Sequence, residues 1–421
     1  MVLSSPRAIH ELLNRRASIY SDRPSHTFFF ELCGRGKSVF NINAGSRHSQ
    51  YRRMLSRGLN TSSYGGVLED EAARLVENLK VQPASYERFI RMNSSAVIMR
   101  VAYGYEISSV DDKFIKVAEE SAKISGLAMA PGRWAVDYFP SLRYLPSWMP
   151  FHRQAAEWKK RLEELSDVPH EWAKQQIMSG NYAESFTSEQ LNLSSRAASP
   201  EVEDIIKWTA GGLYAGATDT TISALLSFLL LMALHPTVQK RAQNEIDSLS
   251  GDMPSIKDIG QLSYLHAVLK EVLRYAPVAN IEIKLMIEIA LPHRVVEDDT
   301  YHGYKIPKGA TVIANVWAIM HDPMIYPNPH NFDPSRFDKT AERANPDPRS
   351  WAFGFGSRRC PGIQFAETSL MICMARILYT FDIGLPSGKA KPNVEFTSGI
   401  TSHIKPFDVD IRERRRVRND E

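Results

Sequence analysis

Phe353-Gly-Phe-Gly-Ser-Arg-Arg-Cys-Pro-Gly362 is the stretch from which the rest of the chain can be read. It sets one cysteine, Cys360, among Gly354, Gly356 and Gly362 and beside Arg358 and Arg359. An apolar run of helical character follows from Ile363 to Phe381. Small residues let the backbone approach a flat ligand and aim amide N–H groups at the sulfur. The N-terminus of the following helix favours negative charge there, and Arg358 suits an anionic group of the same ligand. No second Cys or His stands at zinc spacing, which argues against a structural zinc site. A lone axial thiolate fits haem iron, whose dioxygen chemistry it promotes by donating electron density. The plainer alternative is a Gly-rich turn before a helix that carries a buried free cysteine.

The chain has 421 residues, enough for a large core, with 43% hydrophobic and 24% charged residues, which are globular values. A formal net charge of +3 is small for this length and calls for no nucleic-acid partner. Three scattered cysteines (Cys33, Cys360, Cys373) make no disulfide framework and suggest a reducing, cytosol-facing location. Leu213–Leu234 is long enough to span a membrane but carries Asp219 beside Thr218, Thr220 and Thr221, so a buried helix is expected. The basic tail 412–418 reads as a solvated end.

In chain order, residues 7–20 have apolar positions at helical spacing, stopped by Ser21-Asp22-Arg23-Pro24. Residues 46–59 form a basic helix, and 67–79, 86–102 and 114–127 are amphipathic helices. Residues 131–150 read as a packed irregular loop rich in Pro and aromatics, and 181–200 as a polar surface linker. A long helix is expected over about 201–234, with Glu201 and Glu203 in its first turn. Its middle, Tyr214-Ala-Gly-Ala-Thr-Asp-Thr-Thr221, holds Gly, Thr and Asp where helix propensity disfavours them, a conflict that tends to mark functional sites. Helices 237–249 and 263–274 follow. Glu271 and Arg274, three apart, share a face of the second and can pair. Strand-like pieces over 304–320 and a hairpin-like end over 384–410 complete the pass.

These features together resemble the cytochrome P450 superfamily. Its haem-binding loop reads Phe, two residues, Gly, one residue, Arg, one residue, Cys, one residue, Gly. Phe353, Gly356, Arg358, Cys360 and Gly362 fill all five places. Gly216-Ala-Thr-Asp-Thr220 is similar to the motif of the family's long distal helix, with Ala217 where Gly is commoner. Glu271 and Arg274 match its Glu-x-x-Arg, and Phe332-Asp-Pro-Ser-Arg-Phe337 supplies the arginine, Arg336, that docks on that pair. The motifs stand in family order from about Ala8 to Phe407.

The resemblance implies a mainly α fold with small β-regions (α+β), in one domain over 1–421. It implies heme b with the Cys360 thiolate as axial metal ligand. Phe353, Gly354 and Gly356 would lie along the cofactor, and Arg358, Arg52 and His293 at its propionates. His48 stands where the family normally has Trp. Thr220 and Asp219 would manage protons during dioxygen activation, and Glu271, Arg274 and Arg336 would support the haem-binding core. The implied activity is insertion of one oxygen atom into a small apolar organic substrate, the other leaving as water. Electrons would come from NADPH–cytochrome P450 reductase, with cytochrome b5 a second candidate donor. The chain looks most like the filamentous-fungal, microsomal type: a monomer at the cytosolic face of the endoplasmic reticulum membrane, in secondary metabolism.

Two departures are expected to matter. The family's membrane anchor, Pro-rich hinge, first helix and first strands of the small β-region have no counterpart here, which reads as an N-terminally truncated fold, soluble or peripheral. Residues 281–289 (Ile-Glu-Ile-Lys-Leu-Met-Ile-Glu-Ile) read as an insertion with strand-like alternation where substrate contacts are expected. Two alternatives therefore stay open: a non-catalytic haem-binding remnant, and a haem-thiolate isomerase or peroxygenase that needs no reductase.

Overall fold

The computed structural model describes residues 1–194, 199–249, 253–278, 291–338, 345–397 and 401–414. Its axis is the helix Pro200–Leu234. The Ser199 side chain caps the start by accepting from the Val202 N–H, Pro200 takes the first helical position, and Glu201 and Glu203 follow in the first turn. The helix ends at His235, ahead of Pro236. It is apolar on nearly every face because helices pack around it: Ser46–Gly58, Tyr86–Tyr103, Pro150–Ser179 and Ile363–Thr380. By length and composition it could cross a membrane, but 78% of its most apolar window is buried inside the fold, as expected of a core helix. Gly211 and Gly212 permit close approach: a Cβ would lie 2.7 Å from the Ser166 Cβ in one case and from Val39 Cγ1 in the other.

Helix Ser263–Tyr275 carries the knot that ties the second half of the chain together. Glu271 accepts from Arg274 Nε at 2.7 Å and Nη2 at 2.8 Å, and from Arg336 Nε at 3.3 Å. The Asp333 N–H adds a fourth bond at 2.8 Å. Arg274 Nη1 reaches the Met320 carbonyl at 2.9 Å, and Arg336 Nη2 reaches those of Asn328 and Asn331 at 2.8 and 3.2 Å. Glu271 and Arg274 are wholly enclosed, so this is the buried network expected from sequence and not a surface pair.

The sheets are small. Thr311–Ala314 is flanked by Val2–Leu3 in parallel and His293–Arg294 antiparallel. Asp299–Tyr301 and Tyr304–Ile306 form a tight hairpin, as do Phe381–Gly384 and Asp410–Glu413 with a long connection. Val2–Leu3 gives the sheet one strand at the start of the chain, where none was expected.

Other expectations need correction. The helix over 7–20 contains a wider turn, His10–Arg15, between Pro6–Ile9 and Ala17–Tyr20. The linker assigned to 181–200 holds a helix, Phe186–Ser194, in which the Ser185 and Ser188 hydroxyls cap each other's backbone N–H and Phe186 is fully buried. Val316–Met320 is helical, not strand. The loop 131–150 is packed at one end only. Trp134 stacks on Phe28 with ring centroids 3.6 Å apart, whereas Tyr138, Phe139, Tyr144 and Trp148 are 60 to 77% exposed. The 281–289 stretch lies outside the described residues, as does most of the basic tail.

Replacing Glu271 with Ala leaves two guanidinium groups buried without their carboxylate. The expected cost is about 3–5 kcal/mol, read as a large fall in thermal midpoint and loss of haem retention. A change within about 1 kcal/mol would show the knot to be dispensable.

Candidate active site

The Cys360 loop is shaped by two glycines in the left-handed region, Gly354 (φ 76°) and Gly356 (φ 52°). A Cβ on Gly356 would collide with the Leu13 carbonyl oxygen and lie 2.9 Å from the Ala17 Cβ. The loop therefore docks on the 6–20 helical stretch, where the Gly356 N–H donates to Asn14 Oδ1 at 2.8 Å and Ser357 Oγ meets Ser21 Oγ at 2.6 Å. The turn closes through Cys360 N–H to the Phe353 carbonyl, 2.7 Å, and Ile363–Thr380 starts three residues beyond the sulfur. Burial pushes the Cys360 thiol up, against the Gly362 N–H and the charges of Arg52 and Arg359, which favour a thiolate. A bound metal cation would complete the deprotonation. Cys373 has no such setting. It is mid-helix in the main core, its Sγ is 3.6 Å from Asn93 Oδ1, and burial pushes its thiol up to about 12.

Beside the loop lies a concentration of buried positive charge. Arg358 donates from Nε to the Ser21 carbonyl at 2.7 Å and from Nη2 to the Ile42 carbonyl at 2.6 Å, while Nη1 is buried without a partner among the described residues. Arg23 donates to the carbonyls of Phe40, Leu291 and Pro292, each at 2.8 Å. Arg52 bonds the Arg359 carbonyl. His293 Nδ1–H donates to the Tyr20 carbonyl at 2.6 Å, so Nε2 can also donate only as an imidazolium. Burial, then Arg358, lowers Arg23 to about 9; burial and Arg52 lower Arg358 to about 10, against a raising effect of Asp22. His48 falls to about 4 through burial and the charges of Arg358, Arg52 and Arg23, and His293 to about 3 through burial and Arg23. Asp22, the acid acting on Arg358, already accepts from the Ala44 N–H and from Arg294.

Guanidinium groups keep their charge in proteins, so this cluster sits at a positive potential that its nearby carboxylates do not neutralise. A flat dianion with a metal centre fits: two propionates for the orphaned Arg358 Nη1 and its neighbours, and iron for the single thiol. Arg358 acts electrostatically on His293 and is acted on by Arg52, the residues that the sequence assigns with it to the propionates. Arg23 was missed, because in the sequence it stands inside a helix-stop signal.

On the distal side the motif lies within an unbroken α-helix. Thr220 is exposed to the space beside the helix, and its hydroxyl donates to the Gly216 carbonyl at 2.9 Å. Thr218 does the same to Tyr214, also at 2.9 Å, but is buried. A Cβ on Gly216 would lie 2.8 Å from Phe40 Cζ, so this glycine makes room for an aromatic side chain. Burial works to raise the Asp219 carboxyl, but contact with His403, the Thr401 hydroxyl and the charge of Arg91 hold it below the ordinary range.

One thiol at a glycine-shaped turn, a cationic pocket and a distal helix with an acid–alcohol pair define a haem-thiolate oxygenase. The Cytochrome P450 family model matches residues 1–411, and the chain belongs to that family. It is 35% identical to cytochrome P450 monooxygenase 208 of Postia placenta, over 98% of this chain and 81% of that protein. It is 36% identical to cytochrome P450 monooxygenase claR of Ampulloclitocybe clavipes, over 96% and 76% of the two chains. Against ppsD of Aspergillus oryzae the figure is 34%, over 98% and 80%. The protein is thus an oxidoreductase, a haem-dependent monooxygenase that uses dioxygen and a redox partner.

Cys360→Ser should remove the red-shifted carbon monoxide band of thiolate-ligated haem, while Cys373→Ser keeps it. Survival of the band in Cys360→Ser would exclude Cys360 as the ligand.

Proposed function

We propose that this chain, folded as one P450 domain and acting as a monomer, inserts one oxygen atom of dioxygen into a small apolar molecule. Its electrons come from a separate NADPH–cytochrome P450 reductase, with cytochrome b5 as a second donor. The observation that carries the reading is the Cys360 loop set against an uncompensated cationic pocket, in a chain that matches the family from residue 1 to 411. Bound there, haem supplies the redox chemistry that splits dioxygen. The residues supply the setting. Cys360 provides the thiolate. Arg358, its Nη1 without a partner among the described residues, would hold a propionate, with Arg52 and His293 beside it. Thr220 and Asp219 hold and pass protons on the distal side, since breaking the O–O bond consumes them. The Thr220 hydroxyl proton rests on the Gly216 carbonyl and leaves the oxygen free to accept.

Exposed basic residues on the helix that touches the cysteine loop through Arg52 support an acidic redox partner. Arg53 and Arg57, one turn apart on helix Ser46–Gly58, are exposed, as is Arg359, and none forms an ion pair among the described residues. The exposed aromatics of 138–148 support a second contact, with the cytosolic face of the endoplasmic reticulum membrane. Tyr and Trp are amphipathic rings suited to the lipid–water boundary.

With heavy-isotope dioxygen, NADPH and reductase, product should carry one labelled oxygen, and omitting the reductase should abolish turnover. Thr220→Ala should lower product formation by about one to two orders of magnitude while peroxide release rises. Full turnover with peroxide alone, or rearrangement without external electrons, would replace this reading with the reductase-independent one. Haem binding without turnover of any kind would favour the remnant. Separately, the chain should co-float with anionic phospholipid vesicles, and Tyr144→Ser with Trp148→Ser should weaken this; unchanged flotation would remove the loop from the membrane contact.

A further inference from the structure

Asp219 is held from outside its own helix. His403 Nε2 lies 3.0 Å from Asp219 Oδ1, and the Thr401 side chain also favours the ionised form of that carboxyl. Both residues belong to the turn of the C-terminal hairpin, marked by the Phe396–Ile404 bridge. The described residues at its two ends are hydrogen-bonded in place. Thr397 N–H donates to the His403 carbonyl at 2.7 Å, His403 N–H donates to Thr397 Oγ1 at 3.0 Å, and Ser402 N–H donates to the Val278 carbonyl at 2.8 Å. One helical turn beyond Asp219, Ser223 Oγ donates to the Ser402 carbonyl at 2.5 Å. Asp219 and Ser223, four apart, therefore present one face of the distal helix to consecutive residues of the hairpin.

The imidazole is not satisfied in its own right. Its Nδ1 is buried with no partner among the described residues, and an unmade bond of that kind costs stability. Among the described residues, the ring's one polar contact is with Asp219. Besides His403 and Thr401, the charge acting on the carboxylate is Arg91 on helix Tyr86–Tyr103, whose guanidinium is already bonded to Glu87 at 2.8 Å.

We propose that His403 is a positioning residue for proton supply: it fixes the Asp219 carboxylate on the turn that carries Thr220, so that the acid delivers protons on the distal side. The C-terminal hairpin thereby also sets the fate of dioxygen. This rests on the role given to Asp219 above. Without His403 the carboxylate loses its nearest hydrogen-bonding partner, and burial favours the neutral, misdirected acid. A misdirected proton then releases dioxygen as hydrogen peroxide, which takes up the same two electrons and two protons as product formation does.

The test uses the full holoprotein with reductase and any substrate that it turns over. His403→Phe should keep the red-shifted carbon monoxide band, showing an assembled haem site. It should lower the ratio of product to peroxide roughly tenfold, the scale of a charge-assisted hydrogen bond, and change the solvent deuterium isotope effect on turnover. His403→Gln, which can still donate to the carboxylate, should restore most of both. Independently of activity, the thermal-midpoint shifts of His403→Phe and Asp219→Asn should be non-additive, the double variant losing no more than the larger single loss. If Asp219→Asn raises peroxide and His403→Phe does not, the inference is wrong and the Asp219 assignment stands. If Asp219→Asn changes nothing, the assignment falls and the inference with it. Equal loss in His403→Phe and His403→Gln with additive midpoint shifts would make His403 structural only.

Discussion

Positive charge buried without its own counter-ion is the constraint on which this structure turns. Arg23 and Arg358 are held by backbone carbonyls from three separate stretches, around residues 21, 40–42 and 291–292. Carbonyl dipoles solvate a guanidinium but carry no net charge, and burying unpaired cations is expensive. The residual potential reaches His48 and His293, both driven towards the neutral form. A dianionic cofactor turns that liability into affinity. The same carbonyl contacts hold the early chain, the distal-side loop at residue 40 and the strand at residue 293 in one frame, so cofactor binding and local folding are coupled.

Two further devices hold the frame. The Glu271–Arg274–Arg336 knot fixes helix Ser263–Tyr275 to the loop before the cysteine, drawing its donors and acceptors from 320 to 336. Ile363–Thr380 carries the sulfur at its start and packs on Thr61–Val81 and Pro200–Leu234. The proximal thiolate and the distal acid–alcohol pair are thereby placed by one core, while the hairpin through His403 and Ser402 joins the distal helix to the far end of the chain.

What could be read from sequence is what the chemistry requires close together. A thiolate loop, an i,i+3 ion pair and an acid–alcohol step on one helix are contiguous, and their spacing carries their geometry. The arginine at 336 was readable because it sits in a motif of its own. The interactions that were not readable are long-range. Asn14 and Ser21 meet the cysteine loop across 342 and 336 residues of chain, and Arg23 meets Leu291 and Pro292 across 268 and 269. His403, near the C-terminal end, meets Asp219 in the middle of the chain. Helix Phe186–Ser194 was hidden because its Ser-rich composition suits a loop, whereas the same hydroxyls cap the helix once Phe186 is buried. The aromatics of 131–150 split between packing and exposure for a reason that only tertiary structure supplies: Phe28 and Trp158 are within reach of Trp134 and not of Trp148.

The central claim is that the pocket beside Cys360 is built for a dianion. The direct measurement is reconstitution of the haem-free chain with haemin and with its dimethyl ester, which has the same iron and ring but no propionate charge, followed by Soret absorbance. The account expects the free acid to bind at least about a hundredfold more tightly, the scale set by two charge-assisted hydrogen bonds that the ester cannot make. It also expects Arg358→Leu to narrow that gap. Equal affinity for acid and ester would contradict it and leave the buried arginines as structural ties alone.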